Sequence, residues 1–285
     1  MRKFEAHLAA LFCPHLYTRW LYRHNKGKQD WGDKKACLTL SFDCDYVEDI
    51  YALPKVLDLL RAHSFKASFA CVGKLIEQYP SEHKSIIAEG HEIVNHTYTH
   101  PNHEKLNPSH TFNELTFEQQ QEEIAKCHKV CENVLNYSPI GFRTPHFGML
   151  HTKRVYQILK EAGYAYSSSL ALIQSSTYGM PFFEQGIREI PVSICPKHPF
   201  SVFDTWHSFA RGRGRHEGKN DWVRTFCELV ELGVQTNSYL NVYFDPQDVA
   251  SRKEFQTILE YLEEKRDTIT VTPYEKLHRE IYATA

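Results

Sequence analysis

No stretch of the chain approaches the roughly 20 consecutive apolar residues that a membrane-spanning helix needs. Charge of either sign is not in excess. Lys and Arg number 33 against 35 Asp and Glu, a formal charge of −2. Nothing in that balance calls for nucleic acid or an acidic membrane surface. The sequence has no internal repeat and no low-complexity tract. Eight cysteines occur, but none in a CxxC spacing and none at regular intervals. Cys37, Cys44 and Cys71 lie in apolar, strand-like runs, and Cys127 and Cys131 are four apart on an expected helix. Such a set reads as reduced, buried thiols in a cytoplasmic chain, not as a disulfide framework. Arg2 and Lys3 are followed by an apolar stretch broken at His7, Pro14 and His15, with no small-residue cleavage site, so no signal peptide is expected.

What is present is a chain of 285 residues, enough for one large α/β domain or two small ones. Aromatic residues are plentiful, with 16 Tyr, 17 Phe and 4 Trp, which suits a globular core and also walls on which sugars stack. Histidine is high at 17, and the five from His91 to His110 are crowded together.

Residues 1–35 read as a helical lead-in. Leu8, Leu11, Phe12, Leu16, Trp20 and Leu21 recur at near-helical spacing, which suits a helix docked on the domain, with a membrane-surface or partner-binding helix as the alternative. From 36 to 285 strands and helices alternate. Strands are expected at 36–42, 67–72, 91–95, 141–143, 164–166, 187–194, 240–244 and 268–271. Helices are expected near 50–63, 81–89, 116–136, 153–162, 221–232 (stopped by Gly233) and 251–264. This alternation predicts a parallel, barrel-like α/β architecture. The unusual polar residues fall just after strands, where such folds place their sites.

The first such place is Ser41-Phe42-Asp43-Cys44-Asp45. Two carboxylates at i and i+2 share one face of a strand, with Cys44 on the other, core-facing side. Like charges so close are costly unless a cation lies beside them. Strand termination by one Asp and helix capping by the other is the plainer alternative. The second place is His96-Thr97-Tyr98-Thr99-His100. Histidines at i and i+4 lie on one face if the segment is helical, and with a carboxylate from the first strand they fill three positions of a metal site with room for water. His91 reads as a turn residue, and His103 and His110 as exposed loop residues. The third place is Gly141-Phe142-Arg143-Thr144-Pro145-His146, where Arg143 supplies a cation able to fork onto a carboxylate.

These three pieces, in this order, resemble the polysaccharide deacetylase family, also called the NodB-homology or carbohydrate esterase family 4 domain. The family reads T-F-D-D-G where this chain has Ser41-Phe42-Asp43-Cys44-Asp45, with one residue inserted between the two Asp. His96, Thr97 and His100 match H-[ST]-x-x-H, and Arg143 and Pro145 match R-x-P. Arg188-Glu189-Ile190-Pro191-Val192 is similar to a family strand ending in E-I-P. The similarity runs from about Cys37 to Tyr274. It implies an irregular (β/α) barrel of about seven parallel strands. It also implies a metal-dependent hydrolase removing an N-acyl group, acetyl or formyl, from an amino sugar of a polysaccharide or its activated precursor. The resemblance assigns a divalent metal, expected to be Zn, to Asp45, His96 and His100. Asp43 is then the catalytic base, oriented by Arg143, and a backbone N–H at or near Tyr166 is an oxyanion donor. Pro145, His146, Tyr166 and Trp206 are the expected substrate contacts.

Two departures from the family pattern stand out. Asp245, in Phe244-Asp245-Pro246, occupies the place of a His that acts as general acid in the family, so Asp245 or His207 is expected to give the proton, the alternative being that the role is lost. Tyr166-Ser167-Ser168-Ser169 replaces Tyr-Asp-Ser-Ser, which removes a charge. The basic run from Arg211 to Lys219 reads as a solvated loop or, through Arg213, as a receiver of phosphate on a nucleotide- or lipid-linked sugar. Other readings are a sugar-binding homologue that has lost catalysis, a hydrolase of another non-peptide C–N bond such as a cyclic ureide, and a ferrous oxygenase. The last leaves Asp43 and Arg143 unexplained.

Overall fold

The computed structural model describes residues 3–27, 29–146, 151–209, 216 and 220–281. The strand in the middle of the sheet is β1 (Ala36–Cys44), buried along its whole length. Its outward residues Leu38, Leu40, Phe42 and Cys44 join the main apolar core, as expected for Cys44. Its inward residues Thr39, Ser41 and Asp43 are buried polar groups. The period of two thus divides one strand between a greasy exterior and a polar barrel interior.

From β1 the sheet continues through β2 (Ser68–Cys71), β3 (Glu92–Asn95), β4 (Gly141–Phe142) and β5 (Tyr166–Ser167). It ends with β6 (Phe182–Glu184) and β7 (Ile187–Glu189), in the spatial order β5, β7, β6. A hairpin apart from it is formed by β8 (Ile194–Cys195) and β9 (His198–Val202). On the other side of β1 lies β10 (Tyr239–Phe244), and β11 (Ile269–Val271) pairs with the start of β1. Seven strands along the path are parallel and β6 alone runs antiparallel. The result is the curled, mostly parallel α/β sheet that the alternation predicts. Among the described residues the edge strands β10 and β6 do not pair with each other. Asn241 of β10 instead ties β10 to the segment after β7: its N–H donates to Ser193 Oγ (2.9 Å), its C=O accepts from Ser193 N (2.8 Å), and its side chain donates to the Ile190 and Pro191 carbonyls (3.2 Å each).

The helices are α1 (Lys3–Phe12), α2 (Pro14–Arg23), α3 (Val47–Ala62), α4 (Gly73–Gln78), α5 (Pro80–Ala88) and α6 (Phe117–Val130). They continue with α7 (Val155–Glu161), α8 (Thr205–Phe209), α9 (Asp221–Thr236), α10 (Pro246–Ala250), α11 (Lys253–Glu264) and α12 (Tyr274–Lys276). Three sequence expectations change. The lead-in is two helices, because Pro14 opens a new one; Tyr17, Leu21 and Tyr22 of α2 are buried, whereas Leu11 and Phe12 are exposed. The long strand expected over 187–194 splits at Pro191, which has no N–H for a ladder. Gly233 does not end α9, which runs three residues further to a left-handed cap at Asn237. Gly233 is there for clearance, since a Cβ would lie 2.7 Å from Leu240 Cδ1.

Gly141 has the same origin. Tyr166, opposite it in register, lays its ring over the glycine, and a Cβ would meet ring atoms at 2.1–2.2 Å. Gly141→Ala is expected to lower unfolding stability by about 2–3 kcal/mol through overpacking, read by chemical denaturation. An unchanged midpoint would contradict this packing.

Candidate metal centre and active site

The C-terminal ends of β1, β3 and β4 meet at one mouth. Arg143 follows β4 and extends its ladder, donating its N–H to Asn95 O (2.9 Å). Its side chain points inward and is fully buried. Nη1 pairs with Asp43 Oδ1. Nη2 donates to Ser41 Oγ (3.0 Å), Ser168 Oγ (3.2 Å) and the Tyr274 hydroxyl, and Nε donates to Ser168 O (3.2 Å). Tyr274 passes its proton on to Asn241 Oδ1 (2.6 Å), and Asn241 Nδ2 donates to Ser168 Oγ (3.0 Å). Every donor of this network meets an acceptor, which a buried charge requires. Burial pushes the Asp43 carboxyl up, and the charges of Arg143 and His96 pull it back without cancelling the rise. Asp43 therefore holds a proton more strongly than an ordinary aspartate, as a base needs.

One residue beyond β1, Asp45 faces His96 and His100. Oδ1 lies 3.2 Å from His96 Nε2 and Oδ2 lies 3.4 Å from His100 Nε2. His96 Nδ1 lies 2.9 Å from Arg143 O, a pure acceptor, so Nδ1 carries the proton and Nε2 presents a lone pair. Asp45 Oδ1 and His100 Nε2 are buried without a hydrogen-bond partner. Burial opposes ionisation of Asp45, but His100 and His96 outweigh it and hold the carboxyl well below its usual range. The three ligand atoms lie within 4.8 Å of one another. Tetrahedral zinc, with bonds of about 2.0–2.2 Å, separates such O and N ligands by about 3.4 Å. The residues fit a divalent cation, which would satisfy both orphaned atoms.

The His96–His100 segment is not helical, as its spacing had suggested. Thr97 (φ 65°) and His100 (φ 52°) are left-handed and fold it into a tight loop. Its amides are held from outside. Glu123 of α6 accepts from Tyr98 N (3.0 Å), Thr99 N (2.8 Å) and Thr99 Oγ1 (2.7 Å), and the first N–H groups of α4 donate to the Thr97 and Tyr98 carbonyls. His103 is buried, not exposed, because its Nδ1 accepts from Lys105 N and Leu106 N (3.1 Å each) and caps the loop. His91 is buried too, accepting from Ala67 N (3.1 Å) at the start of β3 and so at the opposite end of the barrel. His110 is exposed.

Of the remaining candidates, His146 (φ 48°) stacks edge-on to His100 at 4.8 Å between ring centroids, beside the buried Pro145. Asp245 is half-buried below α8 and accepts from Thr205 Oγ1 (2.6 Å). Burial first, and then the charge of Asp49, push its carboxyl well above its usual value, so it holds a proton more strongly than an ordinary aspartate. His207 is not beside it: the ring turns away to His198, with Nε2 3.4 Å from His198 Nδ1. Tyr166 does not reach the mouth. Its ring lies under Gly141 against Tyr274, and its N–H is committed to Ile140 O. The N–H groups of Ser168, Ser169 and Leu170 are likewise taken, the last two by Glu189 Oε1. No oxyanion donor comes from them. Trp206 is exposed on α8, and Arg213 lies outside the described residues. Asn241, Tyr274, Glu123 and Asp49 were not singled out from sequence. Only Asp49 carried a signal, an acid in the first turn of the helix after the motif, where it accepts from Asp45 N (3.2 Å) and Tyr46 N (3.0 Å).

The family model described as polysaccharide deacetylase matches residues 31–167. A peptidoglycan-N-acetylglucosamine deacetylase of Bacillus cereus is 34% identical over 119 residues, 42% of this chain and 39% of that protein. The match thus spans about two fifths of the relative's length. Among solved structures, a putative polysaccharide deacetylase from Mycobacterium smegmatis superposes with a TM-score of 0.74 at 16% identity, covering 91% of this chain and 95% of that one. A Puue allantoinase superposes with a TM-score of 0.72 at 12% identity, covering 91% and 95%. At these identities the two structures speak for the fold. With the matching sequence model and the motif residues gathered at one barrel mouth, the segment 31–167 belongs to the polysaccharide deacetylase family.

Proposed function

We propose that the chain is a metal-dependent N-deacetylase of amino sugars, a hydrolase of a non-peptide C–N bond. One observation carries this reading. Asp45, His96 and His100 leave buried, unsatisfied ligand atoms at the mouth of the barrel, and two residues before Asp45, on the same face, lies Asp43, locked by a buried arginine.

Asp45, His96 and His100 would hold the cation, for which zinc suits two imidazoles and one carboxylate. When bound there, it supplies Lewis-acid polarisation of the acyl carbonyl and acidifies water. Asp43 takes a proton from the attacking water. Arg143 fixes the carboxylate's direction, so that its free oxygen faces the mouth. Asp245 delivers a proton to the departing amine, and Thr205 orients it. Acetate and a free amino sugar result. The relative from Bacillus cereus is named for peptidoglycan N-acetylglucosamine, which favours this substrate class. The basic run from Arg211 to Lys219 suits a phosphate on an activated precursor, and eight unpaired cysteines suit a reducing, cytoplasmic setting.

Acetate release from N-acetylated chitooligosaccharides, followed for zinc-loaded protein, tests the reading. Chelation is expected to abolish release and zinc to restore it. Asp43→Asn is expected to lower kcat about 10²–10⁴-fold while zinc still binds. Zinc-loaded protein without activity, or an Asp43→Asn variant with full activity, contradicts it. Arg213→Ala with Arg215→Ala is expected to weaken turnover of phosphorylated substrates and to spare neutral ones. Equal loss on both would remove the phosphate assignment.

A further inference from the structure

A second group of ligand-type side chains lies on the hairpin and helices that follow the barrel strands. Cys195 and His198 are paired across the turn of the β8–β9 hairpin. His216 comes from the segment before α9. Cys195 Sγ lies 3.5 Å from His198 Nδ1 and 3.6 Å from His216 Nε2, and the three ligand atoms lie within 4.8 Å of one another. Cys195 and His216 are buried, and His198 is half-buried.

Tetrahedral zinc, with Zn–S about 2.3 Å and Zn–N about 2.0–2.1 Å, separates sulfur from nitrogen by about 3.5–3.6 Å. The two measured separations have that value. His216 Nδ1 lies 3.2 Å from Asp221 Oδ2, so the proton sits on Nδ1 and Nε2 offers Cys195 a lone pair. Two imidazole nitrogens thus face one sulfur. Asp221 is itself fixed at the start of α9 by Lys197 and by Arg224 Nη2 (2.6 Å). A carboxylate behind a histidine is the arrangement that orients imidazole toward a metal.

We infer that Cys195, His198 and His216 form a second metal site, binding zinc through the Cys195 thiolate, with the thiol proton released to solvent. His207 lies beside this group, with Nε2 3.4 Å from His198 Nδ1. The site clasps the β8–β9 hairpin to the start of α9. On the way it bears on α8, which carries Thr205 and so holds Asp245.

Cobalt separates this site from the one at the mouth, because only this one contains sulfur. The full chain with His96→Ala and His100→Ala is titrated with Co²⁺ and read for the thiolate-to-cobalt charge-transfer band in the near ultraviolet. The band is expected with about one equivalent of cobalt, and it is expected to vanish in Cys195→Ser. Asp221→Asn is expected to weaken cobalt binding about 10–100-fold with the band retained. The unmodified protein must give the same band, so the test stands even where the double variant fails to fold. No band, or a band that persists in Cys195→Ser, overturns the inference. Neither result bears on the deacetylase reading, whose ligands contain no thiol.

Discussion

A guanidinium sealed inside the barrel sets the terms for everything around it. Arg143 has no exposed surface, and an ion in such a place persists only when each N–H has an acceptor. Asp43 supplies the opposite charge, and Ser41, Ser168 and Tyr274 take the other donors. These partners come from β1, from the loop after β5 and from the end of the chain, and Asn241 of β10 ties the last two together. Removing one member of such a pair leaves a bare buried charge, a loss of about 3–5 kcal/mol. The cluster is therefore a joint of the barrel as well as part of its chemistry. Asn241 serves both ends of that role, since it also ties β10 to the segment after β7.

The order of the strand residues turns this joint into a site. Asp43 ends the polar interior row of β1, and Asp45, next on the same face, emerges at the mouth. One acid is held by an internal cation. The other is left to two histidines and to whatever cation they share. His96 links the two halves, because the carbonyl that fixes its ring belongs to Arg143 itself. The arrangement separates the two carboxylates by environment: burial raises the proton affinity of Asp43, and His100 with His96 lowers that of Asp45. Burial, and then the charges of Asp49 and of these same two acids, raise the proton affinity of Asp245 as well.

Much of this was legible in the order of residues. Apolar runs such as Ala36–Phe42 mark buried strands because both sheet faces are covered, and the polar exceptions at their ends mark the mouth. Asp43, Asp45, His96, His100 and Arg143 are uncommon in such places, so they draw attention. Asn241, Tyr274 and Glu123 do not. Each is an ordinary residue whose role comes from a partner more than twenty positions away. Local spacing also misled. The His96–His100 interval suggests a helix, but two left-handed residues and the carboxylate of Glu123 produce the same convergence by a loop. Gly233 has the look of a helix stop and is instead a clearance for Leu240. Tyr166 sits beside a motif yet points to the other end of the barrel, a direction set by strand parity and by Gly141. His207 had the right residue type for an acid near Asp245, but α8 turns its ring toward His198.

Anomalous diffraction at the zinc edge from crystals grown with zinc tests the central claim most directly. The account predicts a peak bounded by Asp45 and the Nε2 atoms of His96 and His100, with Asp43 still paired to Arg143 beside it. A map with no peak there, and with the two imidazoles turned away from Asp45, would contradict it.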